Sequence, residues 1–448
     1  MLKFIFDRKP GSSMMTAIFL IINSTLGTGI LNLPSAYKEA GGLYVSISVS
    51  IFFAIITIVT YLIFGHYRNK CDGINIEDVM GKCCGHWAKR VVRISTITFL
   101  FAESVAALVA VGDQLEKVID FFAMNTTINR QSWYFNRRFT ISLVSVVFAF
   151  PLSLVRDISF LKYSSFIGVF AQISILLYIF IGYFVLPLKP VVIKNFPNDF
   201  SSILKVVPAV LFTYHGHVVT VATHYSMRDK ENFKKYTIVI TCSVIFLLVV
   251  NTSTGVFGYL SFGEAIKPNI VLNYEPNLIL LFCYVLLAIK ILTNYPAISF
   301  CARVTFISIL ESTLSPQKFD AFIRYGGFYI TAVLWYLLSL FFGLFTPDIS
   351  YAIGLVAGVA AIYIICGSGY LILTSQIKEL GQKKGYSHED LSLIAINNGV
   401  NSKPSARDNP KFRYFKIAIS ILFISFGFFV FGLATGLMVE KIVAARKD

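Results

Sequence analysis

Two short stretches of this 448-residue chain carry helix-breaking and polar residues inside otherwise apolar sequence. The first runs Asn23-Ser-Thr-Leu-Gly27-Thr28-Gly29-Ile-Leu-Asn-Leu-Pro34, the second Pro208-Ala-Val-Leu-Phe212-Thr-Tyr214-His215-Gly216-His217. Gly27 and Gly29 are poor helix residues, and Pro34 lacks a backbone donor, so a helix through the first stretch is expected to open. Gly216 between two histidines marks the second in the same way. An opened helix offers free amides at one end and free carbonyls at the other, and the amide end carries positive dipole suited to a carboxylate. This is chemistry for holding a small molecule with an anionic and a cationic end. For the first stretch, small residues also allow plain close packing of helices. Covalent chemistry has no matching constellation: there is no Walker loop, no H-E-x-x-H and no G-x-S-x-G, so an enzyme is not expected.

Two ionisable side chains stand in apolar runs. Glu103 and Lys290 each fall near the middle of their run, where an unpaired charge costs at least about 2.5–3.5 kcal/mol on insertion scales. The expectation is an ion pair or a proton-coupled pair between them, against the alternative of a bridge that only fixes helix register. His217 could join a proton relay, because histidine changes charge near neutral pH, or could be a neutral hydrogen-bonding group. Cys71, Cys83 and Cys84 share a polar loop with His86, but without the paired spacing of a zinc site, so no metal is expected. The other cysteines read as packing residues.

The elements that must position these residues are membrane spans. The chain is 56% hydrophobic and only 14% charged, with a mean hydropathy of +0.70. Soluble domains carry roughly 25% charged residues, so lipid is the natural solvent for this surface. Apolar runs of about 18 residues or more give some eleven spans: 14–40, 43–65, 91–112, 138–155, 162–187, 203–226, 236–262, 277–300, 327–345, 348–374 and 413–439. They are too long and too continuous for barrel strands. Met1–Ser12 lead into an apolar stretch too long for a signal peptide core. With the N-terminus cytoplasmic, Lys and Arg favour the inner loops roughly twofold, which also accounts for the net charge of +15 without nucleic acid. Asn125-Thr126-Thr127 then lies outside as a glycosylation acceptor. Broken spans one and six, five helices apart, fit a five-plus-five inverted repeat: residues 14–187, residues 203–374, and an additional helix 413–439, all within one transmembrane domain spanning 1–448. Paired breaks of this kind point to a transporter binding site.

At these residues the sequence resembles the amino acid/auxin permease family, and within it the sodium-coupled neutral and vacuolar amino acid transporters. The matching pieces are Asn23 to Pro34, Val111-Gly-Asp-Gln-Leu115, Phe212-x-Tyr214-x-Gly216-His217 and Gly255-Val-Phe-Gly-Tyr-Leu-Ser-Phe-Gly263. The resemblance implies an eleven-helix, leucine-transporter-type fold that moves amino acids by alternating access. It places the substrate carboxylate on the amides of Gly27, Thr28 and Gly29. The substrate amino group would meet carbonyls around Phe212 and Tyr214, with Asn23 and His217 nearby. In sodium-coupled relatives an oxygen-bearing residue of the first span and polar residues of the eighth hold the ion; Asn23, Thr293 and Asn294 match or stand near those positions. Lys290, about one turn from Asn294, departs from that pattern; a cation there could disfavour sodium or stand in for it. The coupling ion is therefore a proton or sodium, with no organic cofactor.

An amino acid sensor with the same fold is the alternative, with loop 375–416 as its signalling segment. Eleven spans argue against a seven-helix receptor, no filter-like repeat supports a channel, and a twelve-span carrier would not explain the paired breaks. Plasma membrane and vacuolar or lysosomal membrane both suit the composition.

Overall fold

The computed structural model describes residues 11–125, 133, 136–154, 161–185, 191–346, 349–383 and 410–444. The described residues are overwhelmingly helical. Nine of their helices are long and apolar enough to cross a membrane: Leu43–Cys71, His86–Ala123, Ile167–Val185, Phe200–Ser226 (itself interrupted), Phe233–Ala265, Leu278–Thr313, Gly327–Phe345, Ala352–Glu379 and Arg413–Val443. The chain is an integral, multi-pass membrane protein.

The shortfall from eleven lies in two stretches. Residues 14–40 form no single helix but Met14–Thr25, a 3-10 turn Thr28–Leu31, and a short helix Leu33–Glu39. Residues 138–155 divide into Arg137–Val144, a π-turn Ser145–Ala149, and Phe150–Ser153. Pro151, which cannot donate to the helix ladder, stands just after the widened turn. Several helices also outrun their apolar cores: Leu278–Thr313 continues thirteen residues past the hydropathy boundary at 300. Hydropathy measures lipid thickness, whereas the helix ladder continues wherever the backbone lacks a breaker. Of the glycosylation motif, Asn125 closes the helix His86–Asn125, and Thr126 and Thr127 lie outside the described residues.

Burial sorts the helices. The apolar window of Phe200–Ser226 is 83% buried and that of Arg413–Val443 only 22%, so the former sits at the centre and the latter faces lipid. Helix Leu278–Thr313 packs on His86–Asn125 and Leu161–Val185; Phe233–Phe262 packs on Met14–Thr25, Leu33–Glu39 and Leu43–Cys71. Helix Ile349–Ala361 joins His86–Asn125 to Val207–Thr213. Both interrupted segments are thus enclosed by the long helices, and residues such as Ile245, Val249, Phe341, Leu422 and Phe428 cover the periphery.

Side-chain bonds fix the bundle ends. Asp113 accepts from Arg137 at 3.0 Å and from Asn269 at 2.8 Å, so the polar part of the Val111–Leu115 motif ties three segments together. At one terminus of the first segment Ser12 joins Met227 in a parallel backbone bridge, with the Ser12 N–H donating to Ser226 O (2.8 Å) and the Arg228 N–H to Ser12 O (3.2 Å). Arg228 Nε also donates to Gly11 O at 2.8 Å.

Between the helices Leu43–Cys71 and His86–Asn125 lies the short helix Ile76–Cys84, which buries Glu77. Burial pushes the Glu77 carboxyl above its ordinary range, opposed by Thr305 (2.8 Å) and by the Arg93 guanidinium (3.3 Å). Arg93 also donates to Ser308 at 2.6 Å and Ser312 at 3.2 Å, so one pair clamps three helices. Removing one partner of a buried pair strands the other, at roughly 3–5 kcal/mol. Arg93→Ala is expected to lower the melting temperature of the detergent-solubilised protein markedly, and Arg93→Ala/Glu77→Gln to recover part of that loss. An unchanged melting temperature in Arg93→Ala would show that the pair does not clamp these helices.

Candidate functional site

The first interruption starts where helix Met14–Thr25 ends. Leu26 has φ −68° and ψ 75°, an inverse γ-turn in which the Gly27 N–H donates to Thr25 O at 2.7 Å. The 3-10 turn Thr28–Leu31 then opens with Gly27 as its N-cap, and Asn32 leads into Leu33–Glu39. Of the three amides singled out in the sequence, that of Gly27 is therefore turned back on its own chain. Those of Thr28 and Gly29 start a helical turn, where N–H groups lack intrahelical acceptors.

The second interruption separates Val207–Thr213 from His217–Ser226. Tyr214 and Gly216 both leave helical geometry, and the His215 N–H folds back on Phe212 O at 3.2 Å.

Glycine brings the two interruptions into contact. A Cβ on Gly29 would overlap the ring of Phe212 and come 3.0 Å from Thr213 Cγ2. One on Gly216 would overlap Thr25 Oγ1 and lie 2.6 Å from Tyr61 Oη. Gly27 is the opposite case. A Cβ there would meet only Thr25 O, at 3.9 Å, and the residue keeps part of its surface exposed, so it borders open space at the crossing.

The exposed carbonyls of both breaks have partners. Lys290, buried at 3% exposure, donates its Nζ to Leu26 O. Gln172 Nε2 donates to Gly27 O at 3.3 Å. Asn251 Nδ2 donates to Thr213 O at 3.4 Å, and Tyr61 Oη to Tyr214 O at 3.2 Å. Asn23 stands beside Lys290: a Cβ on Gly168 would overlap Asn23 Oδ1 and lie 3.2 Å from Lys290 Cγ. Thr293 donates to Lys290 O at 3.0 Å, a bond within its own helix, and Asn294 one residue on is half-buried.

The expected Glu103–Lys290 ion pair is not formed. No oxygen of Glu103 lies within 4.0 Å of the Lys290 ammonium, although the two are electrostatically coupled. The ammonium has turned to the carbonyl at a half-helix C-terminus, where the dipole also favours a cation. Glu103 instead shares a helix face with Phe99, four residues earlier, whose ring lies 3.5 Å from that of His215 by centroid. His215 is in turn hydrogen-bonded to Tyr363. His217 bonds Thr60 through Nε2 at 2.8 Å and its ring lies 4.3 Å from that of Tyr61 by centroid, tilted by 58°, while its Nδ1 is buried without a hydrogen-bond partner among the described residues. Tyr214 Oη lies beside Asn251 and Thr252.

A partly open cavity lies off this crossing. It holds about 240 Å³ between Leu33–Glu39, Val207–Thr213, Ile349–Ala361 and the last helix, lined by Asn32, Ala36, Pro208, Ile353 and Met438 among others. The Glu39–Lys441 bridge (2.9 Å) stands at its edge, and neither Gly27 nor Phe212 lines it.

The model of the family described as transmembrane amino acid transporter protein matches residues 10–384. The chain belongs to this family. It is 30% identical over 379 residues to sodium-coupled neutral amino acid transporter 7 of Bos taurus, covering 83% of this chain and 81% of the relative. It is 29% identical over 394 residues to solute carrier family 38 member 8 of Homo sapiens, covering 86% and 90% respectively. The resemblance drawn from the motifs therefore holds, and the chain is a transporter-family protein rather than an enzyme. The match ends before the last helix, Pro410–Ala444.

Sequence reasoning missed Tyr61, Gln172 and Asn251 at this crossing, and it used His215 only as a marker of the break. Gln172 and Asn251 were detectable as amides in apolar surroundings, the former inside 167–178 and the latter at the end of 245–251. Tyr61 carries no such signal on its own.

Gly29→Ala is expected to overpack the crossing, costing roughly 1–3 kcal/mol. Gly29→Ala combined with Phe212→Leu should recover part of this in detergent thermal melts. A fully stable Gly29→Ala single variant would show that the two breaks do not touch there.

Proposed function

We propose that this transporter-family chain moves neutral amino acids across its membrane by alternating access, as a secondary carrier driven by a proton or sodium gradient. The observation that carries the reading is the open side of Gly27 at the crossing of two interrupted helices. A zwitterion needs donors at one end and acceptors at the other, and the crossing supplies both. The carboxylate sits on the amides of Thr28 and Gly29, at the positive end of the turn. The amino group meets the carbonyls of the second break around Phe212 and Tyr214, each of which has a second lone pair. Phe212 and Tyr214 border the side-chain pocket, and His217 with Thr60 and Asn23 complete its polar rim.

The substrate class and a sodium gradient are suggested by the names of the relatives, which are sodium-coupled neutral amino acid transporters. Those names denote transporters and weigh against the sensor reading. The architecture is an eleven-span inverted repeat, 14–187 and 203–374, plus the helix from 413, with the N-terminus and the segment 375–416 on the cytoplasmic side by the Lys and Arg bias.

Gly27→Val tests the site. Its Cβ has room and the Gly27 backbone, at φ −90° and ψ −161°, is open to any residue, so abundance and melting temperature should stay at wild-type levels. Uptake of radiolabelled amino acids into proteoliposomes should fall roughly tenfold or more, since the branches fill the binding space. Wild-type uptake by a well-folded Gly27→Val protein would place the carboxylate elsewhere.

A further inference from the structure

Resting on the transport reading, we infer that the cation seat of the first break is filled by the chain's own Lys290 ammonium, so that this carrier works without sodium and couples to protons through Lys290.

A small hard cation bound here would need several oxygen ligands converging at the end of helix Met14–Thr25. The natural donors are the free carbonyls at that C-terminus and the side-chain oxygen of Asn23, one turn earlier. Lys290 takes this place. Its Nζ donates to Leu26 O, and its stem runs alongside Asn23 across the surface of Gly168. The next carbonyl, Gly27 O, is held by Gln172 at 3.3 Å. On the other side, the hydroxyl of Thr293 donates within its own helix to Lys290 O. The donor set does not fit sodium, because a second cation would share the Leu26 carbonyl with a fixed ammonium and be repelled by it.

The ammonium is built into the site. Lys290 is 3% exposed, and Gly168 lets helix Leu161–Val185 close over it and Asn23 together. Lysine differs from sodium in one respect that matters for coupling: it vacates its seat by giving up a proton, not by leaving the protein. The proton then goes to water or to an acceptor on the way out.

Glu103, from helix His86–Asn125, is the one charged group that acts on Lys290 among the described residues. From the remaining neighbours, Asn23 and Gln172 contribute neutral amides, and the helix Gly327–Phe345 and the stretch 145–153 contribute no charge. Glu103 in turn lies near Tyr363 and Cys301. Tyr363 is hydrogen-bonded to His215 in the second break.

The experiment is uptake of a labelled neutral amino acid mixture into proteoliposomes of the full-length protein, with sodium replaced by choline and with a proton gradient imposed or collapsed. The expected result is uptake unchanged by sodium removal and lost when the proton gradient collapses. Lys290→Met is expected to lose roughly tenfold or more of gradient-driven accumulation while retaining exchange of internal for external amino acid, a split that a merely structural lysine would not produce. Should Lys290→Met fail to fold, wild-type melting temperature in sodium, potassium and choline chloride decides, because a bound ion raises it and an unbound one does not. Sodium-dependent uptake, or a sodium-specific rise in melting temperature, would overturn the inference and leave the transport reading intact. Proton-driven accumulation persisting in Lys290→Met would also overturn it. Failure of both uptake and exchange under every gradient would overturn the transport reading, and this inference with it.

Discussion

A polar backbone group inside a membrane has no water to turn to, and that constraint organises the centre of this protein. Two helices stop and restart at depth, and each stop leaves carbonyls and amides that the helix would have paired. The bundle answers the carbonyls one at a time: Lys290 for Leu26, Gln172 for Gly27, Asn251 for Thr213, Tyr61 for Tyr214. These four side chains come from four different long helices, so the breaks determine how those helices must be rotated. The amides of Thr28 and Gly29 have no such partner among the described residues, and the proposed carboxylate site rests on that asymmetry.

The second requirement is proximity. Two opened backbones can share one ligand only if they approach more closely than side chains usually permit. Gly29 against Phe212 and Gly216 against Thr25 achieve this through side-chain contact on glycine surfaces. Gly27 has another task, since nothing presses on it. The same residue type thus serves contact at two positions and vacancy of side chain at a third, a distinction visible only once the neighbours are known.

Much of this was legible in the sequence because it is written locally. Gly27, Gly29 and the Tyr214–His217 run mark the interruptions through backbone preference alone, and Glu103 and Lys290 are conspicuous because charge is rare in apolar runs. The pairing of Glu103 with Lys290 was legible as a need, but its solution was not. Lys290 can answer a carbonyl as readily as a carboxylate, and the choice depends on the rotation of Leu278–Thr313 against Met14–Thr25. Composition carries no information on that rotation. Apolar runs and single helices part company for a related reason. An apolar run gives the thickness to be crossed, while the helix within it may end at Thr25 or widen before Pro151.

The strap between Ser12 and Met227 has a consequence for how such a protein can change shape. It joins the start of the first interrupted segment to the end of the second by backbone pairing, with Arg228 reaching back to Gly11. A Cβ on Gly11 would lie 2.7 Å from Arg228 Cα, so the seam is drawn tight. The two half-helices at that end are consequently yoked: either they swing together as one lever, or the seam unzips first. Two backbone hydrogen bonds at a net ~1 kcal/mol each set a threshold of about one to two powers of ten in population. The seam therefore adds about that much to the cost of moving the two half-helices apart at that end.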